Sequence, residues 1–330
     1  MFAVLSMLED TVGSYQLSLS LLSAKAANFN TPGYKQPEYS FTTLFTQAIH
    51  NQGSVAARGT DKSSSNKVNI GQGMQLIIMG FDMSQGADRS GVKTDAYISG
   101  DGFFVMEAAG AAGAENHYTR AGRFNWTSDG QLIDVLGRKV KGYRRRPVRD
   151  AAGQLVQDGN GNLTYETAFD EGLQTIQVDP STVATSDGSP GTLSDVGITD
   201  QGIITTEWSR VTNSSTNSEL SSNVPPEEKW QLAIATFSNP EKLESLPSGN
   251  GFRISASSGD PIGGVGSPGV AGQGLAGSVT GGIFEGSNVD PAKVSVEGIQ
   301  LQRGYNGVQS AITIVAKFLS NYMSMIDKVA

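Results

Sequence analysis

Two apolar stripes at opposite ends of the chain constrain its fold more than any other feature. From Leu301 onward, apolar residues fall at Leu301, Tyr305, Val308, Ile312, Val315, Leu319, Tyr322, Ile326 and Val329, with gaps that alternate four and three. From the start, Leu5, Leu8, Val12, Tyr15, Leu19, Leu22, Ala26 and Phe29 repeat with the same gaps. Spacing of this kind keeps one face of a helix turned to a partner of the same period. Asp290 is suited to cap the second helix and Pro291 to open it, because a first-turn N–H has no intrahelical partner to lose. Thr31-Pro32-Gly33 stops the first helix. The expected arrangement is a coiled-coil-like pair of terminal helices with the rest of the chain inserted between them. The alternative is two amphipathic helices packed on a globular core.

The inserted sequence has the period of strands. Met74 to Met79, Tyr97 to Met106 (bent at Gly100-Asp101-Gly102), Tyr118 to Phe124, Gln131 to Val135 and Arg138 to Tyr143 are short apolar or alternating runs. Asp129-Gly130 and Gly137 separate them as turn signals. Leu155 to Tyr165 reads as a hairpin turning at Asp158-Gly159-Asn160-Gly161, and Leu173 to Val178, Gly202 to Glu207, Trp230 to Phe237 and Gly251 to Ser255 continue the series. The fold class is therefore α+β, with an antiparallel, mainly β domain between paired helices. The divisions are 1–33 and 287–330 for the helices, 34–72 for a polar connector, 73–258 for the β domain and 259–286 for a Gly-rich linker. Within the connector, Phe41, Leu44, Phe45 and Ile49 fit a short helix, and the polar stretch from Asn51 to Asn69 an extended or disordered loop. Asn213 to Glu228 is a Ser/Asn-rich connection ending in Pro225-Pro226.

Composition narrows the function classes. A net charge of −8 disfavours nucleic acid as the main partner. Cysteine is absent, so there are no disulfides, thiolate metal sites or cysteine nucleophiles. The start carries no cationic, apolar leader with a cleavage site, and no apolar run reaches the roughly 20 residues of a membrane helix.

Chemistry-bearing motifs are weak. Gly272 to Gly277 has the glycine spacing of a dinucleotide loop, but it sits in a Gly-rich run with no helix behind it. Asp158, Asn160 and Asn162 open like a calcium loop, yet Leu163 and Phe169 stand where Gly and Glu belong. His50 and His117 belong to no metal-ligand spacing. No catalytic signature appears among the 32 acidic residues, so the chain is expected to be no enzyme and to take no cofactor or metal. The densest charge feature is Arg138, Lys139, Lys141, Arg144, Arg145, Arg146 and Arg149. It is either a solvated hairpin face or a contact with the acidic surface of a neighbouring copy.

Several motifs together resemble the bacterial flagellar axial family of rod and hook proteins. Ala27-Asn28-Phe29-Asn30-Thr31-Pro32-Gly33-Tyr34-Lys35 is similar to that family's motif after the first helix. Gly100-Asp101-Gly102-Phe103-Phe104-Val105 and Tyr118-Thr119-Arg120-Ala121-Gly122-Arg123-Phe124, followed by Gly130-Gln131-Leu132, resemble its core β motifs. Ala235-Thr236-Phe237-Ser238-Asn239-Pro240 resembles a later strand. Glu285-Gly286-Ser287-Asn288-Val289-Asp290 and Gln302-Arg303-Gly304-Tyr305-Asn306 resemble the motif of the last helix. The matches follow the family's order.

The resemblance implies a structural subunit that assembles helically into a torque-transmitting tube. Its terminal helices would form the inner wall and its β domain the outer layer, with termini that often stay disordered until assembly. Leu5, Leu8, Val12, Tyr15, Leu19, Leu22, Asn28, Leu301, Tyr305, Val308, Ile312, Val315, Leu319, Tyr322 and Ile326 would form the assembly interface. Implied partners are further copies, other rod, hook and junction proteins, and the flagellar export apparatus, with neither nucleic acid nor membrane insertion. Implied localisation is the basal body and hook, periplasmic to extracellular, without a cleaved leader.

The polar loop before Val68-Asn69-Ile70-Gly71-Gln72-Gly73 looks like the distal rod member. Lys141-Gly142-Tyr143 and Leu173 to Val178 look more like the hook. Little sequence is left for a hook's additional outer domain, so the rod is favoured. The chain departs from the family at Ala26-Ala27-Asn28-Phe29, and also in carrying Gly298, Gly304 and Gly307 within a helix, each costing about 1 kcal/mol against Ala. Tight packing or pliancy would account for these glycines. Outside the family, a secreted adhesin predicts a stable monomer with a concave ligand site. A glycan hydrolase predicts two carboxylates about 5 to 10 Å apart in a cleft.

Overall fold

The computed structural model describes residues 2–43, 46–49, 68–71, 74–108, 115–151, 154–157, 164–178, 191–210, 220–221, 229–247, 250–262, 269–272 and 274–326. The chain divides into two compact units, one of residues 1–27, 37–80 and 290–330 and the other of residues 28–36 and 81–289.

The first unit holds both long helices, α1 (Phe2–Ala27) and α2 (Pro291–Ile326). Asp290 Oδ1 accepts the Ala292 N–H at 2.9 Å, and Pro291 takes the first helical position, as the sequence predicts. The helices run antiparallel: Lys25 meets Glu297, Leu22 lies beside Gly298, and Tyr15 beside Gly304. Four strands complete the unit: β1 (Pro37–Thr43), β2 (Thr46–Ile49), β3 (Val68–Gly71) and β4 (Met74–Phe81). β1 pairs with β4, and β2 with β3 in antiparallel register.

The short helix expected around Phe41 to Ile49 is thus replaced by two strands. Tyr39 and Phe41 alternate with exposed Glu38, Ser40 and Thr42, a period of two that outweighs the near-helical spacing of the later residues. The polar loop falls outside the described residues except for its end, which forms β3. Much of the Asn213 to Glu228 connection also lies outside them.

The β-rich unit is built around one large sheet. Its central path runs from strand Tyr165–Thr167 through Lys141–Pro147, Lys229–Ala235, Phe103–Glu107 and Asn116–Thr119 to Phe252–Arg253 and Glu244–Ser245. Both faces are covered, which explains the unbroken apolar run Phe103-Phe104-Val105-Met106. Phe104 and Met106 join one buried cluster with Phe124, Leu132, Ile176, Trp230, Leu232 and Ile234. Phe103 and Val105 join the other with Tyr118, Tyr143, Phe237 and Phe252. Edge-to-face rings lock each side, Phe104 on Phe124 at 5.1 Å and Tyr118 on Phe237 at 4.9 Å.

Three local expectations change. Ala96–Ser99 and Phe103–Glu107 both form, but on either side of the Gly100–Gly102 bend they pair with different strands. Gly191–Ile198, whose Gly and Asp residues break the strand pattern, pairs along its length with Ile203–Arg210. The Gly-rich stretch expected as a linker contributes strands Gly269–Val270, Ser278–Gly281 and Ile283–Glu285, with Val270 and Val279 fully buried. There, glycine permits close backbone approach: a Cβ on Gly281 would collide with the Ile198 carbonyl.

Candidate assembly surface

The helical unit carries the residues expected at the interface. Leu22 and Leu301 are buried, while Leu8, Val12, Tyr15, Leu19, Tyr305, Val308, Ile312, Val315 and Leu319 are half-buried. Tyr322 is 59% exposed, and the side chains of Leu5 and Ile326, with Val329, lie outside the described residues. Asn28 sits beyond the end of α1, where its Oδ1 accepts the Thr31 hydroxyl at 3.0 Å and closes the turn. At this end the buried face of α1 runs from Leu22 to Lys25; Ala26 and Phe29 are exposed. Lys25 lies 4.9 Å from the centre of the Tyr39 ring and 3.6 Å from Glu297, and the Tyr39 hydroxyl donates to Glu297. Burial, reinforced by that carboxylate, raises the Tyr39 pKa.

Two of the three helix glycines have a steric reason. A Cβ at Gly304 would lie 2.5 Å from Tyr15 Oη and 2.6 Å from its Cε1, and one at Gly298 would lie 3.1 Å from Leu22 Cδ2. Tight packing of α1 on α2 therefore accounts for Gly304, whereas at Gly298 the Leu22 side chain would have to give by a few tenths of an ångström. A Cβ at Gly307 meets nothing within 4 Å.

A second stripe was not legible from the heptad pattern. Ile314, Phe318, Tyr322 and Met325 follow one another at intervals of four, four and three, and all are more than half exposed, Phe318 by 64%. Val296 and Ile299 are similarly exposed nearer the start of α2. The signal was present in the sequence: α2 has apolar residues at more positions than one seam can bury. On the strands, Leu76 is buried while Ile77, Ile78 and Met79 are about half exposed. Contiguous exposed apolar surface of this kind marks a place where another element packs.

The β-rich unit holds a charge centre that the motifs contained without revealing. Lys35, Arg120 and Glu285 belong to three separate motifs and meet with their side chains almost wholly shielded from water. Glu285 Oε1 accepts from Lys35 Nζ at 2.7 Å and from the Gly86 N–H at 2.8 Å, and Arg120 Nη1 lies 3.6 Å from Oε2. Lys35 also donates to the Ser84 carbonyl, and Arg120 to those of Ile98 and Gly100. Burial lowers the pKa of both cations, and the Glu285 carboxylate opposes that shift in each. Glycines let the backbones converge: Gly33, at φ +66°, carries a hydrogen where a Cβ would strike Ala121, and a Cβ on Gly122 would strike the Ala96 carbonyl.

The basic cluster is largely satisfied within the chain. Arg138 is buried and bound to Asp134 at 2.6 Å, Lys141 donates to Asn116 and Arg145 to the Tyr165 carbonyl. Arg144, Arg146 and Arg149 line a cleft of about 440 Å³ with Pro147, Glu166 and Glu171. Among the described residues, no cluster of three or more His, Asp or Glu side chains could hold a metal ion, and no helix is long and apolar enough to cross a membrane. His117 is half-buried on strand Asn116–Thr119; His50 and the calcium-like Asp158, Asn160 and Asn162 lie outside the described residues. Gly272 and Gly277 close a turn through a 3.0 Å backbone hydrogen bond and then lead into a strand.

Residues 97–206 match the family model of the flagellar hook protein FlgE/F/G D1 domain. Over 306 residues the chain is 29% identical to the flagellar basal-body rod protein FlgG of Agrobacterium fabrum, covering 92% of each. It is 25% identical to FlgG of Bacillus subtilis over 94% of each. The flagellar hook protein FlgE of Borreliella burgdorferi is 32% identical over 146 residues, which span 43% of this chain and 30% of that protein.

Proposed function

We propose that this chain, which is similar to flagellar rod and hook proteins, is a structural subunit of the rod, assembling with copies of itself through its terminal helices into a tube that transmits motor torque. The carrying observation is the exposed apolar stripe Ile314–Phe318–Tyr322–Met325, on a helix whose other apolar face already packs on α1. Such a stripe favours burial against another copy, since about 25 cal/mol is gained per Å² of apolar surface removed from water. The interface residues from Leu8 to Leu22 and Leu301 to Leu319 would hold the hairpin in shape, and the exposed stripe would join it to its neighbours.

The rod reading is favoured over the hook because the match to FlgG runs end to end, whereas the match to hook proteins spans about a third of their length. On this reading the chain sits in the distal part of the rod, with other axial proteins as neighbours and passage through the flagellar export apparatus as the route; the similarity to FlgG over 92% of both chains supports the rod. A structural role requires neither cofactor nor turnover.

Hydrogen exchange on the purified chain, before and after polymerisation, tests this. Amides of α1 and of α2 beyond Leu301 should gain protection on polymerisation, and Ile314→Asp with Phe318→Asp should prevent it while leaving the β-rich unit folded. Polymers that form normally from the double variant would remove the stripe from the interface. A wild-type chain that stays monomeric with both helices protected would favour a secreted binding module.

A further inference from the structure

We infer that Arg145 and Lys229, held side by side on neighbouring strands, form a binding site for a small oxyanion, a carboxylate or phosphate group. The inference stands whether or not the chain polymerises, because both cations belong to one chain. In the antiparallel register, Arg145 of strand Lys141–Pro147 is directly opposite Lys229 of strand Lys229–Ala235. Like charges placed in this way repel each other and weaken the pairing of their strands. Tyr165, on the next strand, holds both in place. The Lys229 ammonium lies 4.0 Å from its ring centre and the Arg145 guanidinium 6.0 Å, and Arg145 Nη2 donates to the Tyr165 carbonyl at 2.9 Å.

Among the described residues, no acid compensates this pair. The alternation of a strand puts Arg145 and Thr167 on one face and Arg146 and Glu166 on the other, and Glu171 is engaged by Arg146. Burial lowers the pKa of both cations, Arg145 lowers that of Lys229 further, and no carboxylate offsets either shift. Arg145 commits Nη2 to the Tyr165 carbonyl, while its Nη1 and the Lys229 ammonium have no acceptor among the described residues. The Tyr165 ring attracts each cation but cancels neither charge. An oxyanion does both: it accepts from guanidinium and ammonium together and turns a repulsive pair into a bridged one. The two side chains are half-buried, which leaves room for a small ligand and strengthens its attraction. A net charge of −8 repels a long polyanion, so a nucleic acid is disfavoured.

The test uses the purified full-length chain, with inorganic phosphate and acetate as probes against chloride at equal ionic strength. Acetylation of Lys229 by an amine-reactive ester is read by peptide mass spectrometry. It should slow about fivefold when a probe stands at a few times its dissociation constant. The exposed Lys293 and Lys317 should keep their rates. Thermal unfolding followed by tryptophan fluorescence gives a second reading. Phosphate raises the midpoint of any folded chain to some degree, so the comparison is between variants. The extra shift of phosphate over chloride should be larger in wild type and Lys229→Arg than in Lys229→Met and Arg145→Met. Lys229→Met keeps the side-chain stem against Tyr165, so it decides the matter if Arg145→Met does not fold. Lys229 acetylated equally fast in all three salts, or an equal phosphate shift in wild type and Lys229→Met, overturns the inference. Once the probes protect Lys229, polymers grown in chloride identify the source. Protection there assigns the oxyanion to a carboxylate of another copy, and reactivity there assigns it to a free anion.

Discussion

The two units bury their apolar residues very differently. In the β-rich unit, Phe104, Val105, Met106, Tyr118, Leu232 and Ile234 are completely removed from water. In the helical unit, among the described residues, Leu22, Leu76 and Leu301 are the buried apolar side chains, and most of the rest are half or fully exposed. The β-rich unit closes its core by itself. The helical unit has apolar surface on more faces than its own elements cover. Fully buried apolar side chains are therefore concentrated in one unit, and exposed apolar surface in the other.

The sharpest way to break this contrast is at the buried charge centre. Glu285→Ala would leave Lys35 and Arg120 without their carboxylate in a dry site and should destabilise the β-rich unit by about 3–5 kcal/mol. All three tryptophans, Trp126, Trp208 and Trp230, belong to that unit, so their fluorescence in a denaturant titration isolates it. The exposed pair of Glu244 and Arg253 is the control, and its loss should scarcely move the midpoint. Equal responses at the two sites would show that the centre contributes nothing special.

Within the helical unit, Gly304→Ala should force Tyr15 aside and destabilise the α1–α2 contact by about 1–2 kcal/mol, even after the gain in helix propensity. Far-UV circular dichroism during thermal unfolding reads it. Gly307→Ala fills open space and should stabilise the same contact by up to about 1 kcal/mol. A sign reversal between the two would show that Gly307 is the position under packing constraint.

The smallest effect concerns pH. Burial, then Arg138, lowers the His117 pKa below 6.5, with Glu115 opposing and Arg253 adding to the depression. The unfolded chain therefore takes up this proton first. The stability of the β-rich unit should fall as pH drops from about 6.5 toward the folded value and level off below it. His117→Gln should flatten that limb of the denaturation midpoint against pH.

Much of this organisation was legible in the sequence because periodicity carries it. The helices, the stop at Thr31-Pro32-Gly33, the cap at Asp290, and strands such as Trp230 to Phe237 follow from spacing and turn residues. What escaped were features set by long-range approach. Lys35, Arg120 and Glu285 sit in motifs visible in the sequence, but their meeting depends on glycines that let three backbone segments nearly touch. The Gly-rich stretch before α2 looked like a linker because its buried apolar residues Val270 and Val279 stand among glycines, with no alternating run around them to signal a strand. The exposed stripe of α2 was masked by the stronger seam running beside it.

The ion pair between Lys35 and Glu285 also has a temporal consequence. The two residues are 250 positions apart, and Asn288 binds the Gln36 N–H and the Asp82 carbonyl in the same neighbourhood. A chain emerging from the ribosome presents Lys35 early and cannot neutralise its burial until Glu285 has been made. Contacts of such separation form slowly, because a long loop must close before they return any energy. The segment that completes this charge centre is thus made 250 residues after Lys35, so the nascent chain cannot close that part of the β-rich unit until Glu285 has been added.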